Sequence, residues 1–184
     1  MKNKKVIWIT TTAVFVALLI GVQVATAPLS QIVTGSLVNL IMIISAMTTG
    51  FTSGFTVAII SPVFAKLLGI GPIWTIIPFI MAGNIVLIAV WHLIGRAKFM
   101  NKHIVRIVSL IAAAICKFIT LYLGIVKVAI PLLLDLPENQ KAVISSMFSF
   151  PQLITALIGG ALATAILPAI VPKLAGTITN NKLL

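Results

Sequence analysis

Long apolar runs separated by short polar or glycine-rich stretches extend through most of this chain. A helix needs about 20 apolar residues to cross the hydrocarbon core of a bilayer, and fewer where it bends or is partly covered. The pattern therefore predicts six membrane spans: Val6–Ala27, Leu37–Thr49, Phe55–Leu68, Ile73–Ile94, Ile107–Pro131 and Phe148–Val171. The second and third are short and are divided by "TTGFTSG" (Thr48–Gly54), which fits either two tilted helices or one broken pair.

Composition supports the same fold class. The chain is 60% hydrophobic and only 8% charged, with a mean hydropathy of +1.23, whereas soluble domains contain roughly 25% charged residues. We find no internal repeat and no polar region large enough for a separate soluble domain. The sequence thus predicts an all-α, polytopic membrane protein in which residues 1–184 form a single six-helix bundle embedded in lipid.

The positive charges predict the orientation of this bundle. Nine of the 13 Lys and Arg residues fall in three groups on one predicted side: Lys2, Lys4, Lys5, then Arg96, Lys98, Lys102, Arg106, then Lys173 and Lys182. The opposite side has only Lys141 in a loop and Lys127 near a helix end. Because loops rich in Lys and Arg stay in the cytoplasm, both termini are expected to be cytoplasmic.

The first span also has features of a cleavable signal peptide. "MKNKK" precedes an apolar run that ends in the small residues "ATA" (Ala25–Ala27). The run is long for such a region, and its removal would leave five spans and upset the charge asymmetry. We therefore expect the segment to be a retained helix.

The chain lacks the residues that several functions require, including ion coupling, ATP hydrolysis and metal binding. The only acids, Asp135 and Glu138, lie in "LDLPENQK" between spans five and six, so no predicted span has a carboxylate for a proton or sodium relay. There is no phosphate-binding P-loop, His92 and His103 lack metal-site spacing, and Cys116 is the single cysteine. The net charge of +11 lies at helix ends rather than on one face. We expect neither an enzyme nor a nucleic-acid binder, and no cofactor in this chain.

One lysine lies inside the fifth predicted span. Lys117 in "AAAICKFITLYLG" is costly in hydrocarbon, by roughly 2.5–3.5 kcal/mol or more. Its side chain can bend toward the cytoplasmic headgroups, or it can face the bundle interior and pair with an anion. Ala113, Thr120 and Gly124 share its helical stripe, which is small and polar as an inward face should be. The sequence leaves both possibilities open.

Other polar and aromatic side chains lie within or beside the predicted spans. An amide such as Asn84 needs a partner in the membrane, which another helix or a ligand can provide. Aromatic residues and glutamines near span ends serve as interface anchors or as binding groups, and Lys66 either snorkels outward or supplies a second positive charge. The predicted substrate-binding residues are Gln31, Asn39, Lys66, Trp74, Asn84, Lys117 and Gln152.

Small residues recur at four-residue steps along the first span. Ala13, Ala17, Gly21 and Ala25 would form a shallow groove that allows another helix to approach closely. The groove either packs within this bundle or docks the helices of a partner protein. We predict Ala13, Ala17 and Gly21 as candidate partner-docking residues.

Taken together, these residues resemble the substrate-binding S components of energy-coupling factor (ECF) vitamin transporters. Ala13 and Ala17 match that family's Ala-x-x-x-Ala pattern on the first helix. The run "SGFTVAIISPVFAKLLGIGPIWTIIPFIMAGN" (Ser53–Asn84) is most similar to the pantothenate branch. The resemblance implies a prokaryotic plasma-membrane protein that captures a vitamin from outside. It also implies assembly with a transmembrane coupling subunit and two cytoplasmic subunits that hydrolyse ATP.

The substrate implied by the resemblance is pantothenate, an anion with hydroxyls and an amide. Uncharged pyridoxine and hydroxymethylpyrimidine are the main alternatives. A secondary transporter that acts alone is a second functional class, although it would normally need the membrane carboxylates that this chain lacks.

Overall fold

The computed structural model of the protein describes residues 2–71, 73–97 and 101–180, and its regular elements are helical. The helices are α1 (Lys2–Thr26), α2 (Gln31–Thr48), α3 (Phe51–Leu67), α4 (Ile77–Gly95), α5 (Lys102–Leu121), α6 (Ile130–Leu133), α7 (Glu138–Met147) and α8 (Phe150–Asn180). A 3₁₀ turn at Trp74–Ile76 leads into α4, and a π-helical segment at Tyr122–Ala129 joins α5 to α6. Of the basic residues used to predict orientation, Lys98 and Lys182 lie outside the described residues, as do the side chains of Lys2, Lys4, Lys102 and Lys173.

The described part of the chain forms six helices of membrane scale, and the all-α polytopic prediction is confirmed. Five stretches are long and apolar enough to cross a membrane: Lys5–Thr26, Gln31–Thr48, Trp74–Gly95, His103–Leu133 and Glu138–Val171. The sixth, α3, has 17 residues, or about 25 Å at 1.5 Å per residue, which is slightly shorter than the hydrocarbon core.

The short second and third spans are two separate helices. Both begin earlier than predicted, α2 at Gln31 rather than Leu37 and α3 at Phe51 rather than Phe55. The Ser30 hydroxyl caps α2 by accepting from the Val33 N–H. Gly50 precedes α3 with φ of 116°, a conformation that favours glycine and permits the tight turn. Hydropathy missed the first turns of α2 because their polar side chains face the protein interior.

Close contact between α2 and α8 positions the centre of the bundle. Helix α2 packs against α1, α3, α4 and α8, and contributes Met42 and Ile43 to the core, both fully buried. A Cβ at Gly159 of α8 would lie 2.7 Å from the Cβ of Asn39 and would also meet the Ser36 carbonyl oxygen. The missing side chain therefore allows the two backbones to approach closely, as small residues do in membrane bundles.

The small-residue stripe of α1 faces away from this bundle. Ala13, Ala17, Gly21 and Ala25 are all exposed, and a Cβ at Gly21 would meet nothing within 4 Å. The inner face of the same helix is held by polar contacts, including a 2.8 Å hydrogen bond from the Thr12 hydroxyl to Ser53. Packing within its own bundle therefore does not explain the stripe.

We predict that replacing glycine with alanine changes the free energy of unfolding differently at Gly159 and at Gly21. Gly159→Ala should lower the free energy of unfolding by about 1–3 kcal/mol, because its Cβ meets backbone that has little room to shift. Gly21→Ala is the matched control and should be neutral or stabilising by up to about 1 kcal/mol, since alanine favours helix. Unfolding in mixed micelles measures both. Equal destabilisation by the two variants would contradict the packing of α2 on α8.

Candidate functional site: a cavity around a buried lysine

A cavity of about 290 Å³ opens between the ends of six helices. It is lined by the C-terminal parts of α1, α3 and α5 and by the N-terminal parts of α2, α4 and α8. The cavity therefore lies in the half of the bundle away from the N-terminus of α1, which is the outer half if the charge pattern sets the orientation. Its polar lining residues are Gln23, Gln31, Thr34, Asn39, Ser61, Asn84, Lys117 and Gln152.

The cavity has a buried end and an exposed rim. At the buried end Gln23, Asn39, Asn84 and Lys117 are each 4% exposed or less. At the rim Leu29 and Met147 are exposed, and further apolar lining comes from Val38, Ile70, Ile80 and Phe148. Apolar walls with a few convergent polar groups are typical of small-molecule sites, which occupy about 300–1,000 Å³. At about 290 Å³, this cavity lies just below that range.

Lys117 occupies the buried end and does not snorkel. Its Nζ donates to Asn39 Oδ1 at 2.6 Å and to Asn84 Oδ1 at 2.8 Å. These two bonds join α5 to α2 and α4 through one side chain. The interaction brings together three of the predicted site residues. In the sequence, Asn39 lies 78 positions and Asn84 lies 33 positions before Lys117.

The orientation of Asn84 follows from a proline in the neighbouring helix. Pro62 lies inside α3 and has no N–H, so the carbonyl of Ala58 lacks its usual i+4 donor. Asn84 Nδ2 donates to that carbonyl at 3.3 Å. The amide nitrogen is thus committed to α3, and the amide oxygen faces Lys117. The proline fixes which end of the asparagine the lysine meets.

The orientation of Asn39 is fixed by Lys117 itself. An ammonium group only donates hydrogen bonds, so the amide oxygen of Asn39 has to face it. The other end of the amide, Nδ2, is buried and has no partner among the described residues. Asn39 therefore provides a free donor at the buried end of the cavity.

Gln23 of α1 also lines the cavity, although it is not among the residues predicted from the sequence. Its Nε2 donates to the carbonyl and to the hydroxyl of Ser61, both at 3.2 Å. Because a backbone carbonyl only accepts, this contact fixes the amide orientation. The Oε1 atom is left buried without a partner among the described residues. The signal in the sequence was the single amide within the apolar run of the first span.

Gln31 and Gln152 meet at the rim. Each donates its Nε2 to the carbonyl oxygen of Met147, at 3.1 Å and 3.2 Å respectively. That carbonyl ends α7, where helical carbonyls lack partners within the helix. The two glutamines therefore line the cavity and also hold the corner between α7 and α8 against α2.

The structure does not bring Lys66 and Trp74 to this cavity. Lys66 lies one position beyond the lining stripe of Ser61, Pro62 and Ala65, about 100° around the helix from Ala65. Trp74 is 53% exposed, because Ile76 is the residue of its short 3₁₀ turn that packs inward. Lys66 and Trp74 are therefore not part of the cavity, and their prediction as substrate-binding residues is not supported by its lining.

No carboxylate balances Lys117. The only two acids of the chain, Asp135 and Glu138, do not line the cavity. The exposed Glu138 pairs with Lys141 at 3.0 Å. Among the described residues, no three His, Cys, Asp or Glu side chains come together in a metal-binding group. The site has the chemistry to bind a polar, negatively charged molecule.

Comparison with protein families, curated proteins and solved structures returns no match to this chain.

We predict that Pro62 and Asn84 are energetically coupled. Asn84→Leu alone strands the Ala58 carbonyl and removes one acceptor from Lys117. In a Pro62→Ala background the restored N–H at position 62 serves Ala58, so Asn84→Leu should cost less by about 1 kcal/mol. Unfolding of the four variants of the double-mutant cycle measures the coupling. Gly21→Ala paired with Asn84→Leu is the additive control, and additivity in both cycles would contradict the role of Pro62.

Proposed function

We propose that this protein is the substrate-binding S component of an ECF-type vitamin importer. The observation that carries the proposal is the cavity in the half of the bundle away from the N-terminal lysines, with a buried lysine and amides at its inner end. A cavity of about 290 Å³ suits a molecule of vitamin size. Its chemistry favours binding and release over catalysis.

Pantothenate is the leading candidate for the ligand. Its carboxylate provides the negative charge that Lys117 lacks, while its hydroxyls and amide match the remaining polar lining. Pyridoxine and hydroxymethylpyrimidine are the alternatives within the same function, and both would leave the lysine without a counter-charge. Such an unbalanced charge is expensive away from water.

The energy for uptake is proposed to come from other subunits. The chain has no membrane carboxylate for ion coupling and no P-loop, so ATP would be hydrolysed by two cytoplasmic partners and transmitted through a transmembrane coupling subunit. The second functional class, a stand-alone secondary transporter, would be favoured by concentrative uptake into vesicles that contain this chain alone and an ion gradient.

The outer surface of α1 is the proposed docking face for the coupling subunit. Ala13, Ala17 and Gly21 are exposed there, between larger exposed side chains such as Val14 and Leu18. Small residues at four-residue spacing allow a second helix to approach closely within lipid. This geometry supports the docking role that the resemblance implies, in a prokaryotic plasma membrane.

We predict that Lys117→Met weakens pantothenate binding by about 1.5–3 kcal/mol, or roughly 10- to 150-fold, because a charge-assisted hydrogen bond is lost. Lys66→Met is the matched control, since it removes the same charge outside the cavity and should leave affinity unchanged. Titration calorimetry of the purified proteins measures both. Wild-type affinity in a folded Lys117→Met variant would contradict the proposed site.

We predict that Ala17→Trp blocks assembly with the transmembrane coupling subunit and spares pantothenate binding, because the indole would fill the groove on α1. Ile115→Trp is the control, since Ile115 is 44% exposed on α5, away from the stripe. Co-purification with the tagged coupling subunit measures assembly. Equal assembly by the two variants, or loss of pantothenate binding with Ala17→Trp, would contradict the docking role.

A further inference from the structure

The buried end of the cavity has two polar atoms that no described protein group satisfies. They are Asn39 Nδ2, a donor, and Gln23 Oε1, an acceptor, and their side chains are 1% and 4% exposed. Leaving a buried donor or acceptor without a partner is unfavourable. Both side chains line the cavity, so a bound molecule would lie next to both residues.

Lys117 adds a third open position beside Asn39. An ammonium group has three N–H donors, and the carbonyl oxygens of Asn39 and Asn84 accept two of them. The remaining N–H and the free Asn39 amide belong to side chains already bonded to each other. A carboxylate has two acceptor oxygens and matches such a pair of donors.

Building on the proposed binding function, we propose that this site selects a small monocarboxylate that also carries a hydroxyl or amide N–H donor. The carboxylate binds Lys117 and Asn39 at the buried end, and the donor binds the free carbonyl oxygen of Gln23. In this arrangement the free donors of Lys117 and Asn39 meet the acceptor oxygens of the ligand, and the free acceptor of Gln23 meets a donor of the ligand. Gln23 becomes a specificity residue on the same helix as the stripe Ala13, Ala17, Gly21 and Ala25.

The count of charges limits the ligand to one negative charge. Among the described residues Lys117 is the only cationic side chain that lines the cavity, so a phosphate or dicarboxylate would bring a second charge with no partner. A neutral ligand has the opposite defect, because the lysine would remain unbalanced. Both mismatches leave a charge away from water, which is strongly unfavourable.

Two pairs of ligands test this selectivity, since the members of each pair differ at the carboxylate. Pantothenate is compared with its alcohol panthenol, and 4-pyridoxate is compared with pyridoxine. In at least one pair the carboxylate member should bind the wild-type protein about 10-fold or more tightly than the neutral member. Equal or tighter binding of the neutral members would overturn this inference and leave the proposed vitamin-binding function standing. No binding of any of the four would contradict both.

Asn39→Asp supplies a counter-charge inside the protein while preserving the shape of the side chain. The hydrogen bond from Lys117 is retained and the free donor becomes an acceptor, so the affinity for the carboxylate ligand should fall about 100-fold. The affinity for the neutral member of the pair should not fall, because the introduced carboxylate already balances the lysine. Asn139→Asp, on the exposed surface of α7, adds the same charge outside the cavity and should leave both affinities unchanged.

Gln23→Met removes the free carbonyl oxygen at similar side-chain volume. It should weaken pantothenate and panthenol by the same factor, about 5- to 20-fold, because the two ligands share the hydroxyl and amide donors. If Gln23 only stabilised the fold, Gln23→Met would lower the melting temperature, and its effect on affinity would not depend on the hydroxyl and amide donors of the ligand. Loss of affinity for pantothenate alone, or no loss for either ligand, would overturn the role of Gln23.

Discussion

The site depends on one interaction, the bonding of the Lys117 ammonium by the amide oxygens of Asn39 and Asn84. A lysine within a membrane helix is expensive, and the hydrogen bonds that it donates to neutral amide oxygens solvate the charge without cancelling it. The backbone of α3 fixes the orientation of one of these amides, that of Asn84. Because Pro62 frees the carbonyl of Ala58, Asn84 bonds to α3 with its nitrogen and turns its oxygen toward the lysine. The result is a buried lysine that is held in place with no carboxylate among the described residues that line the cavity.

The global architecture could be predicted from the sequence because hydropathy reports directly on lipid exposure. The apolar runs indicated the all-α bundle, and the lack of acids within them indicated that Lys117 has no carboxylate partner in the spans. What failed was the start of α2, where polar residues such as Gln31 and Thr34 face the cavity and therefore lower the hydropathy. Hydropathy averaged over a window of residues cannot distinguish a helix with a polar face toward the protein interior from a loop.

Side-chain direction could be predicted less well than position along the membrane. Five of the seven predicted site residues line the cavity, whereas Lys66 and Trp74 do not. Those two residues lie near span ends, as predicted, but on faces that do not line the cavity. The end of a span predicts where a residue lies along the helix axis, but not the face on which it lies. Gln23 was missed because its contact with Ser61 joins helices 38 residues apart in the sequence. The dependence of Asn84 on Pro62 is equally invisible without the packing of α4 on α3.

Helix α1 connects the cavity with the outer surface of the bundle. Its inner face contributes Gln23, which is 4% exposed, while Gly21 and Ala25 on the same two turns are exposed on the opposite face. A ligand bound to Gln23 would therefore contact the helix proposed to dock the coupling subunit. This arrangement offers a direct physical connection between ligand binding and assembly.

The most direct test of this account is native mass spectrometry of the protein purified from its own cells, with the bound small molecule released and identified. We expect one singly charged carboxylic acid of vitamin size per wild-type chain, retained by Lys66→Met and missing from Lys117→Met. A neutral molecule bound to the wild-type protein, or the same acid retained in full by Lys117→Met, would contradict the claim that the buried lysine binds an anion.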